Sequence, residues 1–135
     1  LVNGRFVKEY QKNAVNGASP LGLIIMLYDG ALRFIDTGKV GIAEHDYDKQ
    51  NLHLQKAQKI VMELMSCLDM GRGGEIAKNL FSLYTYVLNE LIEANISDNC
   101  EAADRGAKVL RELRESWVAI EERQRKGEVE LPVAA

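Results

Sequence analysis

Proline and cysteine are nearly missing from this sequence of 135 residues, which holds two of each. Pro20 and Pro132 stand toward its ends, so no proline between them removes an N–H from a helix interior. Cys67 and Cys100 are too few for a disulfide framework, and they point to a reducing, cytoplasmic compartment. No apolar run reaches the roughly 20 residues that a membrane helix needs, which argues against membrane insertion. The opening LVNGRFVKEYQ lacks the basic-then-apolar layout of a secretory signal. Excess charge is missing too. Seventeen basic residues against twenty acidic ones give −3, a poor match to a phosphate backbone, so no nucleic-acid partner is expected.

Catalytic signatures are equally scarce. A di-iron helical bundle needs Glu-x-x-His on two helices so that both ligands point inward, and that pattern does not occur. His45, Asp46, Asp48, His53 and Asp98 could gather at one end of a bundle, where they read better as a solvated, cap-rich end than as a metal site. GRGGE at 71–75 lacks the lysine and hydroxyl residue of a phosphate loop, and its glycines suit a helix break. No cofactor and no enzymatic activity are expected.

What is present is helical spacing almost throughout. Ser19-Pro20 is a helix start, with a side chain to cap free amides and a proline in the first turn. The first helix should run to about Glu44, with Leu23, Leu27, Ala31, Phe34 and Ile42 inward. Asp46 or Asp48 should cap the second, which carries Leu54, Ala57, Val61, Leu64 and Leu68 and stops at the glycines after Asp69. The third should span about Glu75 to Asn95, with Ile76, Leu80, Leu83, Val87 and Leu91 inward. Asp98 with Glu101 has capping-box spacing for the fourth, whose stripe includes Ala103, Ala107, Leu110, Leu113, Trp117 and Ile120. Short connections between long helices favour an all-α, antiparallel up-down four-helix bundle over residues 19–127, with an N-terminal arm (1–18) and a C-terminal tail (128–135). In that topology Cys67 and Cys100 lie at opposite ends, about 30 Å apart for helices of about 20 residues, and stay free thiols.

The composition offers more apolar surface than such a bundle requires. A bundle helix needs about three apolar positions in seven. From Leu21 to Tyr28, every residue but Gly22 is apolar. Ile25, Met26 and Tyr28 are therefore expected to point partly away from the core, into a groove or under the arm. Phe81, Tyr84 and Ile92 repeat the surplus on the third helix. Tyr28 and Tyr84 can alternatively be core tyrosines whose hydroxyls reach polar partners. In the arm, Phe6, Val7 and Tyr10 have the spacing of a short amphipathic helix that can lie on such a surface. Large apolar patches mark interaction sites, so three readings compete: a wide core, self-association as a structural or adaptor bundle, and a groove for a foreign helix.

The blocks ASPLGLIIMLYDGA (18–31) and GGEIAKNLFSLYTYVLNELIEAN (73–95), with Tyr10 and the late Trp117, resemble the FliS family of flagellin-specific export chaperones over about Val7 to Ile120. The resemblance implies a bundle that binds the C-terminal helical segment of flagellin in outer apolar grooves. It also implies prevention of premature polymerisation in the cytoplasm and delivery to the flagellar type III export gate. Val7 and Tyr10 match arm positions that the family uses for client binding. Export-gate proteins and flagellar regulators are further candidate partners, and a monomer or weak dimer is expected. Many relatives carry Glu or Gln three residues after the capping Ser, where this chain has Gly22. That exchange should weaken the helix start by about 1 kcal/mol and fray Leu21–Leu23.

Overall fold

The computed structural model describes residues 19–127, and the expected arm and tail, with Val7 and Tyr10, lie outside them. Helices α1 (Pro20–Ala43), α2 (Tyr47–Ser66), α3 (Met70–Ser97) and α4 (Cys100–Arg125) follow one another with links of two or three residues. The Ser19 side chain accepts from the Gly22 N–H at 2.9 Å, and Pro20 opens α1. Asp46, rather than Asp48, caps α2 by accepting from Lys49 N–H at 3.1 Å.

Two boundaries differ from expectation. α2 ends before the glycines, at Cys67, and Asp69 caps the next helix through Arg72 N–H at 2.9 Å. The glycine run therefore forms the first turn of α3, which breaks at Gly74 (φ 55°, ψ −132°), a conformation open to glycine. The start of α4 is corrected as well. Asn99, not Asp98, accepts from Ala102 N–H at 3.1 Å. Asp98 instead closes α3 in the left-handed region at φ 51°, which Asp tolerates, and its carboxylate accepts from the Gln50 side chain at 2.8 Å. A contact from another helix decides between two adjacent residues of equal capping ability.

Each helix packs on two neighbours, α1 on α2 and α4, and α3 on α2 and α4. Pairings between α1 and α4 run in opposite sequence directions, and links of two or three residues turn each packed helix back along the one before it. Ser19, Asp29 and Lys39 of α1 bond to Glu121, Arg114 and Asp104 of α4. Gln50 and Asn51 at the start of α2 bond to Asn95 near the end of α3. The seam between α1 and α2 is the tightest. A Cβ on Gly41 would stand 2.5 Å from the Gln50 backbone nitrogen, and one on Gly38 would stand 2.7 Å from Leu54. Cys67 ends α2, Cys100 begins α4, and both are free.

The core corrects the expected faces. On α1, Leu21, Ile25, Leu27, Tyr28, Ala31 and Ile35 are buried, while Leu23 and Phe34 are half-buried. None of the apolar residues from Leu21 to Tyr28 is exposed. The close seam with α2 and the second seam with α4 together take up this surplus. On α3 the inward row is Ala77, Leu80, Tyr84, Val87, Leu91 and Ala94. Ile76 and Leu83, expected inward, are 59% and 38% exposed, since small Ala77 and large Tyr84 take the inner face in their place.

Candidate functional site

Exposed apolar residues occur on α1 (Val40) and α2 (Tyr47, Leu52) as well, but they line up in rows on the two flanks of α3. On the flank toward α2, Phe81, Thr85, Leu88, Ile92 and Asn95 repeat at intervals of four, three, four and three, the spacing of one helical face. Asn51, Gln55, Gln58, Met62 and Met65 repeat identically on α2. The Asn95 amide donates to Asn51 at 2.9 Å and fixes the register. With the helices antiparallel, Gln55 then stands across from Ile92, Gln58 from Leu88, Met62 from Thr85 and Met65 from Phe81. All of these residues are half-buried or exposed, with Phe81 at 43% and Met62 at 46%. None is charged. The result is a two-row strip, rich in amides at one end and in methionine and phenylalanine at the other. Asn51 is held further by the Gln55 side chain, which donates to it at 3.0 Å.

The flank toward α4 has another character. Arg105 forms an ion pair with Glu90, and the Tyr86 hydroxyl donates to Glu90 at 3.4 Å. Counting in helical steps from that pair places Val109, Leu113 and Ile120 along the same side of α4, with Tyr86, Leu83 and Ile76 along α3. This seam is apolar at one end and locked by charge at the other.

Of the expected site residues, Phe81 and Ile92 are brought together on the α2 flank. Three others are not on the surface: Ile25, Tyr28 and Tyr84 belong to the core. The two tyrosine rings lie 6.3 Å apart with hydroxyl oxygens at 2.5 Å, and the Trp117 indole N–H donates to the Tyr28 hydroxyl at 3.1 Å. This satisfies the polar tips of large buried rings and ties α1, α3 and α4 together. Burial pushes the Tyr28 phenol up to about 12, and it raises Tyr84 as well, aided by the neighbouring Tyr28. Met26 is half-buried on α1 and takes no part in the strip. Met62, Gln58, Thr85 and Leu88 escaped the sequence reading, although α2 repeats the spacing of α3 and carries Met62 off its core stripe.

The strip presents uncharged apolar and amide side chains available for contact. Among the described residues no group of His, Cys, Asp and Glu could hold a metal ion, and no helix is long and apolar enough to cross a membrane. Burial and nearby Glu63 push the Cys67 thiol up, which disfavours the nucleophilic thiolate.

Known proteins are similar to this sequence over most of its length. The family profile described as "Flagellar protein FliS" matches residues 3–124. A flagellar secretion chaperone FliS of Vibrio cholerae is 32% identical over 118 residues, covering 84% of this chain and 87% of that protein. The Bacillus subtilis protein of the same name is 32% identical over 117 residues, covering 87% and 86%. That of Campylobacter jejuni is 35% identical over 108 residues, covering 80% and 84%. The chain belongs to the FliS family of flagellar proteins.

Proposed function

We propose that this protein is a cytoplasmic export chaperone that holds the C-terminal helical segment of flagellin along the strip between α2 and α3. Held there, the segment is kept from premature polymerisation and is delivered to the flagellar type III export gate. The relatives carry the name flagellar secretion chaperone, and the family is one of chaperones rather than enzymes. The observation that carries the reading is the uncharged double row that includes Met62, Met65, Phe81 and Leu88. Burying a large apolar side chain contributes roughly 1.5–3 kcal/mol, so three or four anchors offset the cost of ordering a flexible segment. Methionines adapt to several partner side chains, while the amides at the far end supply hydrogen bonds that fix register. Val7 and Tyr10 contribute from the arm, Met26 is a further contact on α1, and Ile25, Tyr28 and Tyr84 act by shaping the core beneath.

Titration of the protein with a peptide from the flagellin C-terminus, followed by circular dichroism, should show gain of helix upon binding. The variant Met62→Asp/Phe81→Asp should bind at least tenfold more weakly, a change of about 1.4 kcal/mol. No helix gain, together with a concentration-dependent dimer that the same variant abolishes, would replace this reading with that of a self-associating adaptor bundle.

A further inference from the structure

Helix α1 begins with a deficit that its own sequence does not repair. Its first turn contains no acidic residue, although the amino end of a helix carries partial positive charge and unpaired N–H groups. Position 22, three residues after the Ser19 cap, is where a carboxylate would complete a capping box. It holds glycine.

The carboxylate of Glu121 lies at this place. The Gly22 N–H donates to the Ser19 hydroxyl oxygen at 2.9 Å, and that hydroxyl donates to Glu121 Oε2 at 3.2 Å. A Cβ on Gly22 would stand 2.9 Å from the same carboxylate oxygen, so the glycine leaves the volume that Glu121 enters. Glu121 itself sits near the carboxyl end of α4, where the dipole of its own helix disfavours an acid and where Arg123 and Arg125 are the favoured residues. Its position is unfavourable for α4 and favourable for α1.

We propose that Glu121 is the capping acid of α1, supplied through space by α4, and that Ser19, Gly22 and Glu121 form a clasp fastening the start of the bundle to its last helix. The chain of donors from Gly22 N–H through the Ser19 hydroxyl ends on a carboxylate, and such a chain strengthens each bond in it. The clasp fixes the point at which residues 1–18 join the bundle. Beside it, Leu21 is fully buried and depends on a formed first turn. The fraying expected from Gly22 alone is thereby opposed.

The test needs no client. Amide exchange at Leu21–Ile24 is compared in the full chain, in Glu121→Ala, in Gly22→Glu, and in the double variant, with exchange in α2 as the internal control. Each single substitution should speed exchange about three- to tenfold, the first by removing the acid and the second by forcing two carboxylates together. The double variant moves the acid into α1 itself and should return exchange to within about twofold of the parent. Its Cβ still lies 3.2 Å from the Ser19 hydroxyl, a contact that a small shift of that side chain relieves. Additive effects in the double variant, or unchanged exchange in Glu121→Ala, would overturn the proposal.

Discussion

The two flanks of α3 both expose large apolar side chains and differ in their charged groups. Toward α2, ten residues in two rows contain no charge, and the rows are joined by one amide hydrogen bond. Toward α4, the Glu90–Arg105 pair closes one end of the seam. A docking segment must surrender water from whatever it covers, and a paired charge is costlier to desolvate than an amide. On the proposed reading, neutrality favours the α2 flank as the surface that an apolar helix would cover.

The largest expected effect breaks the comparison directly. Replacing Phe81 and Ile92 together by Asp should reduce affinity for the flagellin C-terminal peptide about 100-fold or more, since two buried apolar contacts are lost and two charges enter the strip. Ile76→Asp/Leu83→Asp places the same charges on the other flank and should change affinity less than about threefold. Isothermal titration of both variants decides it. Equal losses would mean that both flanks bind and that charge does not distinguish them. A smaller intrusion sharpens the point: Gln58→Glu adds one charge between Met62 and Gln55 and should weaken binding by about three- to tenfold, while Gln58→Met should leave it intact or improve it.

Much of the fold was legible in the sequence because local signals decide it. Ser19, Asp46 and the glycine of the GRGGE run punctuate helices through their own side chains or backbone freedom. The face of α3 was legible in part: Leu80, Val87 and Leu91 are buried as expected, whereas Ile76 and Leu83 are exposed. In IAKNLFSLYTYVLNELI the apolar residues surround the helix, so periodicity alone does not separate Ile76 and Leu83 from Ala77 and Tyr84, which take the inner face. Small Ala77 and Ala94 were the available signal, since alanine suits the close approach of a neighbouring helix. Gly38 and Gly41 pose the same difficulty. Their need for glycine lies in Leu54 and Gln50 on α2 and is visible only after the helices are paired. The surplus expected on α1 is absorbed there, because the close seam with α2 takes up residues that periodicity alone would place outside. Which side of α3 and α2 keeps exposed apolar residues follows from how the helices pair.

Between the two flanks runs the inner row of α3, and alkaline titration separates it from both. Burial raises the Tyr28 phenol from an ordinary 10.0 to about 12 and raises Tyr84 in the same direction. The folded state thus keeps protons that the unfolded chain releases, so stability is full below about pH 10 and falls as pH rises beyond it. The slope should approach roughly 1.4 kcal/mol per pH unit for each tyrosine. Denaturant midpoints measured from pH 8 to 11 should decline above pH 10, and Tyr28→Phe should make that decline shallower. A midpoint that stays level through pH 11 would contradict the buried phenol pair. Surface variants on either flank should keep the parental slope, which distinguishes loss of binding from damage to the core.

The smallest expected effect concerns the ion pair that distinguishes the α4 flank. Arg105 is exposed, and exposed pairs gain little because water and salt screen them. Glu90→Gln/Arg105→Gln should therefore move the thermal midpoint by no more than about 2 °C. Tyr86 loses a charged acceptor but keeps an amide one, so the local packing has no reason to change. Peptide affinity is the sharper readout. If charge excludes the client from this flank, neutralising the pair should let Ile76, Leu83 and Tyr86 contribute, and affinity should rise by about two- to threefold without any change on the α2 side. Unchanged affinity would leave the α2 strip as the docking surface and assign its preference to its methionine and amide side chains rather than to the absence of charge.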